Sequence, residues 1–555
     1  MTEEIAPIAR PETAERPGAR GVVTTGAIVL MVATMASRLL GLVREKALAH
    51  YFGDNWWTDA FVSAFNIPDL IYYLLAGGAL GAAFIPIMRE YVARDDTEGG
   101  HKVANSLLNV MLLAFLGAGV LAFIFAPALW KFGYNPAKDP RFALTVSLTR
   151  ILLPQMAIMG ISAVFTALLQ CHDHFFWPAV GWVIYNIGQI VGTIWIAPMI
   201  GGPPQHQIYG VAFGVLIGAV LLIAVQFPKL RAVGYRWQPV VELSNPDVRR
   251  LGRTWLPVML ALAFSYLSLQ WLPQVLGSQF GKGMVLNIRL AQRFPILPFG
   301  LFAVSIATAA FPTMSTLAFS KRLDELRRTF SSSFSSIMYF VLPCSLGLIV
   351  LAFPLTRLFW KSGHYSEAGV IANAQMLIFF SIGIVALSSL QIINRGFFAI
   401  RQVSTPLKIN GVIFAFNVAL CLILMRTSLS YRGIALGTSI SFYFSALILF
   451  ELLRRRMGGI EGRAILRSFL RVLGAAILMA VAVILTLRAV QHLAGSGTSL
   501  NLAATSLKLA ALEVVAGMAV AVPVYLLTTL ALKVPEAERT WGRLSAKLRR
   551  QPANL

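Results

Sequence analysis

The chain has 555 residues, of which 57% are hydrophobic and only 13% are charged, and its mean hydropathy is +0.71. Soluble domains are typically no more than about half apolar, so this composition excludes an ordinary soluble enzyme and indicates an all-α polytopic membrane protein. The formal net charge of +23 is spread over many separate loops. That distribution argues against nucleic-acid binding and favours contact with anionic membrane lipids.

Taken in chain order, residues 1–20 contain arginines, acids and prolines but no apolar stretch. We therefore expect a cytosolic tail there rather than a signal peptide. The apolar runs that follow are each long enough for a membrane-spanning helix, which needs about 20 residues. Fourteen such helices are predicted, at residues 21–50, 58–88, 103–129, 143–170, 177–199, 207–227, 250–277, 283–318, 330–353, 369–397, 405–425, 433–453, 466–488 and 503–531.

The orientation of these helices follows from the loops between them. Lysine and arginine are concentrated in the first tail and in every second loop, and cytoplasmic loops are the ones enriched in basic residues. We expect both termini in the cytoplasm of a bacterium and a multi-pass protein of its inner membrane. The longest loop, at 228–249, is too short to hold a soluble catalytic domain.

Two short stretches of the first half are echoed in the second half. The sequence "AAFIPIM" at 82–88 resembles "AAFPTM" at 309–314, and the run at 154–170 resembles the run at 374–391. Repeats with an even number of helices run parallel across the membrane, as in transporters with a central cavity. The predicted domains are a tail at 1–20, a six-helix lobe at 21–227, a linker at 228–249, a second six-helix lobe at 250–455, two extra helices at 456–532 and a tail at 533–555.

Several charged residues fall inside the predicted spans. The first helix contains Arg38 and Arg44, and the eighth contains Arg289 and Arg293. Charges at membrane depth are costly and usually face a cavity that carries a substrate or an ion. Arg38 and Arg44 are six residues apart and would point in different directions on a straight helix, so we expect a bend or an unwound turn at Gly41.

The eighth helix is expected to be broken after its second arginine. Pro295 and Pro298 follow Arg293 and must interrupt the backbone hydrogen bonds of the helix. Broken helices at membrane depth occur where they line protein or water. Arginine also suits phosphate, because its planar guanidinium can bond two oxygens at once. The sequence therefore predicts an anion-binding cavity.

Each intramembrane arginine could instead be neutralised by a neighbouring acid. Arg44 could pair with Glu45 or Asp59, and Arg150 in "TRILLP" lies close to the edge of its span. A metal site is not expected, since His172 and His174 fit a solvated turn. The cysteines Cys171, Cys344 and Cys421 are widely spaced and behave as small apolar residues.

The motifs of the first two helices resemble a known family. The runs "ASRLLGLVREKALAHYFG", "TDAFVSAFNIPDL" and "AAFIPIMREY", together with "PFGLFAVSIATAAFP" in helix 8, are similar to the MurJ/MviN family of lipid II flippases. That family belongs to the superfamily of multidrug, oligosaccharidyl-lipid and polysaccharide exporters. The resemblance covers nearly the whole chain.

The resemblance implies a transporter and not an enzyme, with no cofactor. Such a flippase moves lipid II, an undecaprenyl-pyrophosphate-linked glycan, from the inner to the outer leaflet by alternating access, for peptidoglycan and cell-wall synthesis. It implies a monomer, a cationic central cavity for the pyrophosphate and a groove on helices 13 and 14 for the lipid tail. The substrate-binding residues implied by the resemblance are Arg38, Arg44, Asp59 and Arg293. Possible secondary residues are Arg150 and Arg289, which are further charges within the spans, and Tyr72.

The chain departs from the family pattern at three positions. Tyr72 stands where the family usually has an arginine, and Gly77 and Ile296 stand where it has acids. Helix 7 has no acid where members with a sodium site carry one, so sodium coupling is not indicated.

Other functions remain as alternatives on the sequence alone. An exporter of another polyprenyl-pyrophosphate-linked oligosaccharide would need the same arginines, whereas cationic drugs would be repelled by them. A membrane-embedded enzyme acting on lipid-linked glycans would need catalytic acids in loops at one face, and only scattered acids are present there. A scaffold without transport would leave the intramembrane arginines unexplained.

Overall fold

The computed structural model describes residues 19–76, 79–131, 133–402, 404–494 and 506–538. Their regular structure is helical throughout, without a strand. Eleven helices in this part of the chain are long and apolar enough to cross a membrane. The segments for the first, second and seventh predicted spans are also helical, and the prediction of an all-α membrane protein with about fourteen spans is confirmed.

The spans are labelled α1 to α14. Those of the first half and α7 have the following bounds: α1 Ala19–Phe52; α2 Trp56–Ala64, Asn66–Leu75 and Ala79–Ala93; α3 Thr97–Trp130; α4 Arg141–Cys171; α5 Phe176–Val191, a π-helical turn Gly192–Ile196 and Ala197–Ile200; α6 Pro204–Ala232; and α7 Pro246–Tyr266, a π-helical turn Leu267–Trp271 and Leu272–Gly277.

The second half begins with the most segmented span. Its bounds are as follows: α8 Met284–Ala291, Arg293–Pro298, a π-helical turn Phe299–Val304 and Ser305–Phe319; α9 Leu323–Val350 with a short helix Ala352–Trp360 after it; α10 Glu367–Ala399; α11 Ser404–Leu424; α12 Arg432–Arg456; α13 Gly462–Leu493; and α14 Leu507–Ala531.

Several helices begin at a side chain that satisfies their first free N–H groups. Asp96 accepts from Gly99 N at the start of α3, and Ser366 accepts from Gly369 N at the start of α10, both at 2.9 Å. Ser506 does the same for α14. Such caps compensate for the backbone partners that a first turn lacks.

At one end of the molecule the two halves share an apolar core. The connections α1–α2, α3–α4, α7–α8 and α9–α10 all lie at this end, because successive spans run in opposite directions. The core here contains buried residues from both halves of the chain, including Phe52, Phe61, Leu148, Leu286 and Trp360. We call this the closed end.

The opposite end contains the first residues of α1 and the last residues of α14. It has two separate cores. One contains Phe84 and Leu168 from the first half, and the other contains Phe397 and Leu453 from the second half. Helix α14 joins the second half through Tyr525, whose hydroxyl donates to the carbonyl of Tyr339 at 2.5 Å. Apart from the start of α7, which contributes to the first of these cores, the two halves have separate cores at this end, an arrangement that fits alternating access.

Helix α7 lies between the two halves. Tyr266 stacks on Tyr73 of α2 with ring centroids 4.7 Å apart, while Phe264 contacts Phe414 of α11 at 6.1 Å. The echoed sequences fall on α2 and α8 and on α4 and α10, which are corresponding helices of a six-helix repeat.

The helix breaks agree only in part with the predictions. The prolines predict a break in α8 after Arg293. The α-helix is instead interrupted at Gln292, just before Arg293, and a π-helical turn begins at Phe299, directly after Pro298. The expected bend or unwound turn at Gly41 is wrong as to unwinding, because α1 is continuously helical from Ala19 to Phe52. The cysteines are free, with Cys171 and Cys421 buried and Cys344 half-buried.

Candidate functional site

A cavity of about 390 Å³ lies between α1 and the broken part of α8. Its walls combine arginines, small residues and apolar side chains. They are formed by Ser37, Arg38, Gly41, Leu42, Arg44, Asn186, Arg293, Ile296, Leu297, Phe299, Gly300 and Val304. The sequence prediction that Arg38, Arg44 and Arg293 share one cavity is therefore supported by their positions, although α1 does not unwind.

Arg38 reaches the cavity beside Gly300, in the π-helical turn of α8. A Cβ atom on Gly300 would overlap the Arg38 guanidinium, so the glycine leaves the room that this side chain occupies. Within the part of the chain that the structure describes, Arg38 has no carboxylate or hydrogen-bond partner. Its charge therefore remains available to a ligand.

The other arginines converge on one carboxylate, that of Glu45 on α1. Arg44 Nη2 and Arg293 Nη2 each lie 2.6 Å from Glu45 Oε1, and Arg289 Nη2 lies 3.1 Å from the same oxygen. Glu45 is only 1% exposed. We call Glu45, Arg44, Arg289 and Arg293 the arginine cluster. Two of its arginines line the cavity, while Arg289 lies behind them.

The arginine cluster is held in place from two sides. Asn186 of α5 accepts from Arg44 Nη1 at 3.2 Å and donates to Ser37 Oγ at 3.2 Å. The Arg289 guanidinium lies over the ring of Phe65 on α2, 5.2 Å from its centroid. These contacts join α1, α2, α5 and α8 around the cavity.

The charges around the cavity do not cancel. Asp69 of α2 interacts electrostatically with Arg289, Arg44 and Arg293 and is the second acid among the described residues here, besides Glu45. With Arg38 counted, this region contains four guanidiniums and the two carboxylates of Glu45 and Asp69, so positive charge is in excess. A partly dehydrated cavity of this kind favours a dianion with several oxygens.

Asp59, which the resemblance places among the substrate residues, lies outside this cavity. It is fully buried near the closed end and accepts from Gly283 N at 2.8 Å and from Leu286 N at 3.0 Å. Arg141 of α4 approaches the same carboxylate at 3.5 Å. Asp59 thus caps the first turn of α8, where a negative charge is stabilised by the free N–H groups.

A second acid joins the two halves at the closed end. Asp54, between α1 and α2, accepts from Ser366 N at 2.7 Å and also from the hydroxyl of this residue. Ser366 is itself the cap of α10. The backbones approach so closely that a side chain at Gly363 would overlap the carbonyl of His50, and Gly363 has a φ of +54°. We call Asp54, Asp59 and their partners on α8 and α10 the closed-end latch.

Two of the possible secondary residues also lie elsewhere. Arg150 donates to the carbonyl of Phe123 at 3.1 Å and lies over its ring. Phe123 is 50% exposed on the outer surface of α3, so Arg150 does not face the cavity. Tyr72 packs against the core of the closed end and that of the first half, and it contacts Tyr73 edge-on. Gly77 lies outside the described residues.

Ile296 stands where the family has an acid and lines the cavity. An apolar residue there leaves the positive excess larger than an acid would. Among the described residues, no group of three or more histidine, cysteine or acidic side chains comes together in a way that could hold a metal.

Sequence reasoning missed the central position of Glu45. Its neighbour Arg44 made a local pair conceivable, yet the two arginines of α8 that share the same oxygen are more than 240 residues away. Asp54 and Asn186 were not identified either. The one available signal was that Glu45 is an acid within an apolar span, as Arg44 is a base there.

Comparisons with known proteins agree with the family resemblance of the sequence motifs. Residues 48–504 match the family model described as "Lipid II flippase MurJ". A protein of Burkholderia cenocepacia named lipid II flippase MurJ is 28% identical over 464 residues, covering 80% of this chain and 87% of that protein. A probable lipid II flippase MurJ of Haemophilus influenzae is 26% identical over 465 residues, covering 81% and 90%.

Solved structures share the fold. A lipid II flippase MurJ in an inward closed conformation superposes with a TM-score of 0.72 at 21% identity, covering 91% of this chain and 99% of that one. An inward-facing multidrug transporter of the MATE family superposes with a TM-score of 0.63 at 17% identity, covering 78% and 98%. At these identities the likeness concerns the fold alone.

Proposed function

The chain belongs to the lipid II flippase MurJ family, and from that premise we propose that its arginine cavity holds the pyrophosphate of lipid II during transfer between leaflets. The family consists of transporters and not enzymes. The protein is accordingly a flippase that serves cell-wall synthesis.

The single observation that carries the proposal is the excess of positive charge in the cavity. Arg38, Arg44 and Arg293 line one space between α1 and α8. The pyrophosphate of a lipid-linked glycan is a diester with one negative oxygen on each phosphorus. Its two negative charges complement the positive excess around the cavity, and its oxygens suit guanidinium forks. Asp59, Arg150 and Tyr72 are not included in this binding site.

Transport requires the closed end to open. The closed-end latch connects Asp54 and Asp59 of the first half to the starts of α10 and α8 in the second half. Breaking these hydrogen bonds and the apolar core around them would expose the cavity on the other side of the membrane. We infer that the two six-helix lobes, 21–227 and 250–455, move against each other about α7, with α13 and α14 carried on the second lobe and holding the lipid tail.

The orientation proposed is that of a monomer in the bacterial inner membrane with both termini in the cytoplasm. The closed end then faces the periplasm. A reporter fused after residue 135 or 494 is expected to read periplasmic, and one fused after 240 or 460 cytoplasmic, because basic loops remain inside. Alkaline phosphatase and green fluorescent protein fusions measure this. Opposite readings at any two sites would contradict the proposed topology.

Complementation tests the function. Expression of the chain in a bacterium depleted of its own lipid II flippase is expected to restore growth and cell shape. The purified protein in liposomes is expected to move lipid II between leaflets. The same liposomes containing other polyprenyl-pyrophosphate glycans decide the alternative substrate: transport of another glycan without transport of lipid II would replace lipid II by that glycan.

A further inference from the structure

The two carboxylate oxygens of Glu45 differ in their contacts with the arginine cluster. All three guanidiniums bind Oε1 of Glu45, while Oε2 is buried without a partner. We propose that Glu45 is an exchangeable counterion: it holds Arg44 and Arg293 together while the cavity contains no substrate, and it yields both to the pyrophosphate when substrate binds. This inference rests on the proposed function and concerns how the same cavity binds and releases its ligand.

The positions of the three arginines differ in the way that exchange requires. Arg44 and Arg293 line the cavity and also reach Glu45, so each can turn towards a ligand without leaving its helix. Arg293 is 30% exposed, the most of the three, and its Nε is buried without a partner. Arg293 therefore has a donor that Glu45 leaves unused.

Arg289 provides the reason why Glu45 can give up the other two. Its Nε and Nη2 both approach Oε1, at 3.2 and 3.1 Å, and it does not line the cavity. After Arg44 and Arg293 have turned to a ligand, Glu45 keeps this partner and is not left as an unpaired buried charge, which would be strongly unfavourable. The carboxylate thus remains paired in both states.

A pyrophosphate provides more hydrogen-bond acceptors for the arginines than Glu45 does. One oxygen shared by three guanidiniums leaves each of them with an incomplete set of bonds. A pyrophosphate presents oxygens in two tetrahedra, so that two arginines can each form two parallel bonds. Glu45 is then the acid to which the arginines return, and its competition with the pyrophosphate speeds release on the far side of the membrane.

The test compares wild type with Glu45→Gln, which keeps the shape and one acceptor but removes the charge. The probes are inorganic pyrophosphate and undecaprenyl pyrophosphate, added to the full-length protein in detergent and measured by native mass spectrometry. Without its competitor, the variant is expected to bind both probes at least about fivefold more tightly. Its lipid II transport in liposomes is expected to be slower than that of wild type, because release is slower.

A matched control and a second variant keep the outcome interpretable. Glu536→Gln changes another buried glutamate, outside the cavity, that accepts from Ser468 at 3.1 Å, and it should leave pyrophosphate affinity unchanged. Glu45→Asp keeps the charge but is shorter by one methylene, so that it holds the three arginines less well and should bind the probes with intermediate affinity.

Three results would overturn the proposal. Equal or weaker binding by Glu45→Gln would show that Glu45 only positions the arginines. Loss of the folded variant from the membrane would show that the cluster is a structural ion-pair network. If wild type itself binds neither probe, the proposed function fails as well, which distinguishes that case from the first two.

Discussion

Replacing Arg38 by alanine is expected to abolish lipid II transport while the amount of folded protein stays near that of wild type. Arg38 lies in the cavity beside Gly300 and has no acid partner among the described residues. Its removal therefore leaves no unpaired carboxylate in the membrane, which is the usual reason why breaking a buried ion pair unfolds a protein. The variant loses one of the positive charges of the cavity, and we therefore expect it to bind the pyrophosphate too weakly for transport.

The measurement is complementation of a flippase-depleted strain, with membrane abundance followed by immunoblot and thermal stability in detergent. Arg150→Ala is the matched control, because this arginine lies on the outer surface over Phe123 and should leave growth intact. Disappearance of the Arg38 variant from the membrane would contradict the prediction and show that Arg38 stabilises the fold. Full growth with Arg38→Ala would remove this residue from the binding site.

The fold could be predicted from the sequence because each membrane span is a long apolar run. The proline pair at 295 and 298 indicated correctly that α8 is irregular, since proline removes a donor that a helix needs, but the α-helix is interrupted at Gln292, before Arg293, and not after it. The same reasoning failed at Gly41, where it predicted an unwound turn. A glycine permits a break but does not require one, and the long side chains of Arg38 and Arg44 reach a common cavity from an unbroken helix.

The site was accessible only in part. Asp59 has the sequence features of a cavity acid, being charged within an apolar segment, yet its partners are backbone N–H groups of Gly283 and Leu286. Hydrogen bonds to backbone N–H groups do not depend on the side chains of the partner segment, so its sequence does not predict them. The pairing of Glu45 with Arg289 and Arg293 was hidden for a related reason: it depends on how α1 and α8 pack, which periodicity along one helix does not reveal.

The last prediction separates recognition of a pyrophosphate from generic attraction by positive charge. Arg44→Lys and Arg293→Lys keep the charge but replace a planar fork by a compact ammonium, which cannot form two parallel bonds of fixed geometry. Each variant is expected to weaken binding of a lipid-linked pyrophosphate by about 1.5 kcal/mol, or roughly tenfold, the order of magnitude of one hydrogen bond to a charged group.

Native mass spectrometry or thermal-shift titration with lipid II measures this loss, with an uncharged lipid of equal tail length as the reference ligand. Arg322→Lys is the matched control, because Arg322 is 60% exposed and pairs with Glu325 outside the cavity. Binding to the wild type should weaken as salt rises, but less than for surface charges, since the arginines of a narrow cavity are poorly screened. Equal affinity of wild type for the two lipids, or unchanged affinity in both lysine variants, would mean that Arg44 and Arg293 do not hold the pyrophosphate. The three arginines on Glu45 would then be an ion-pair network that joins α1 to α8.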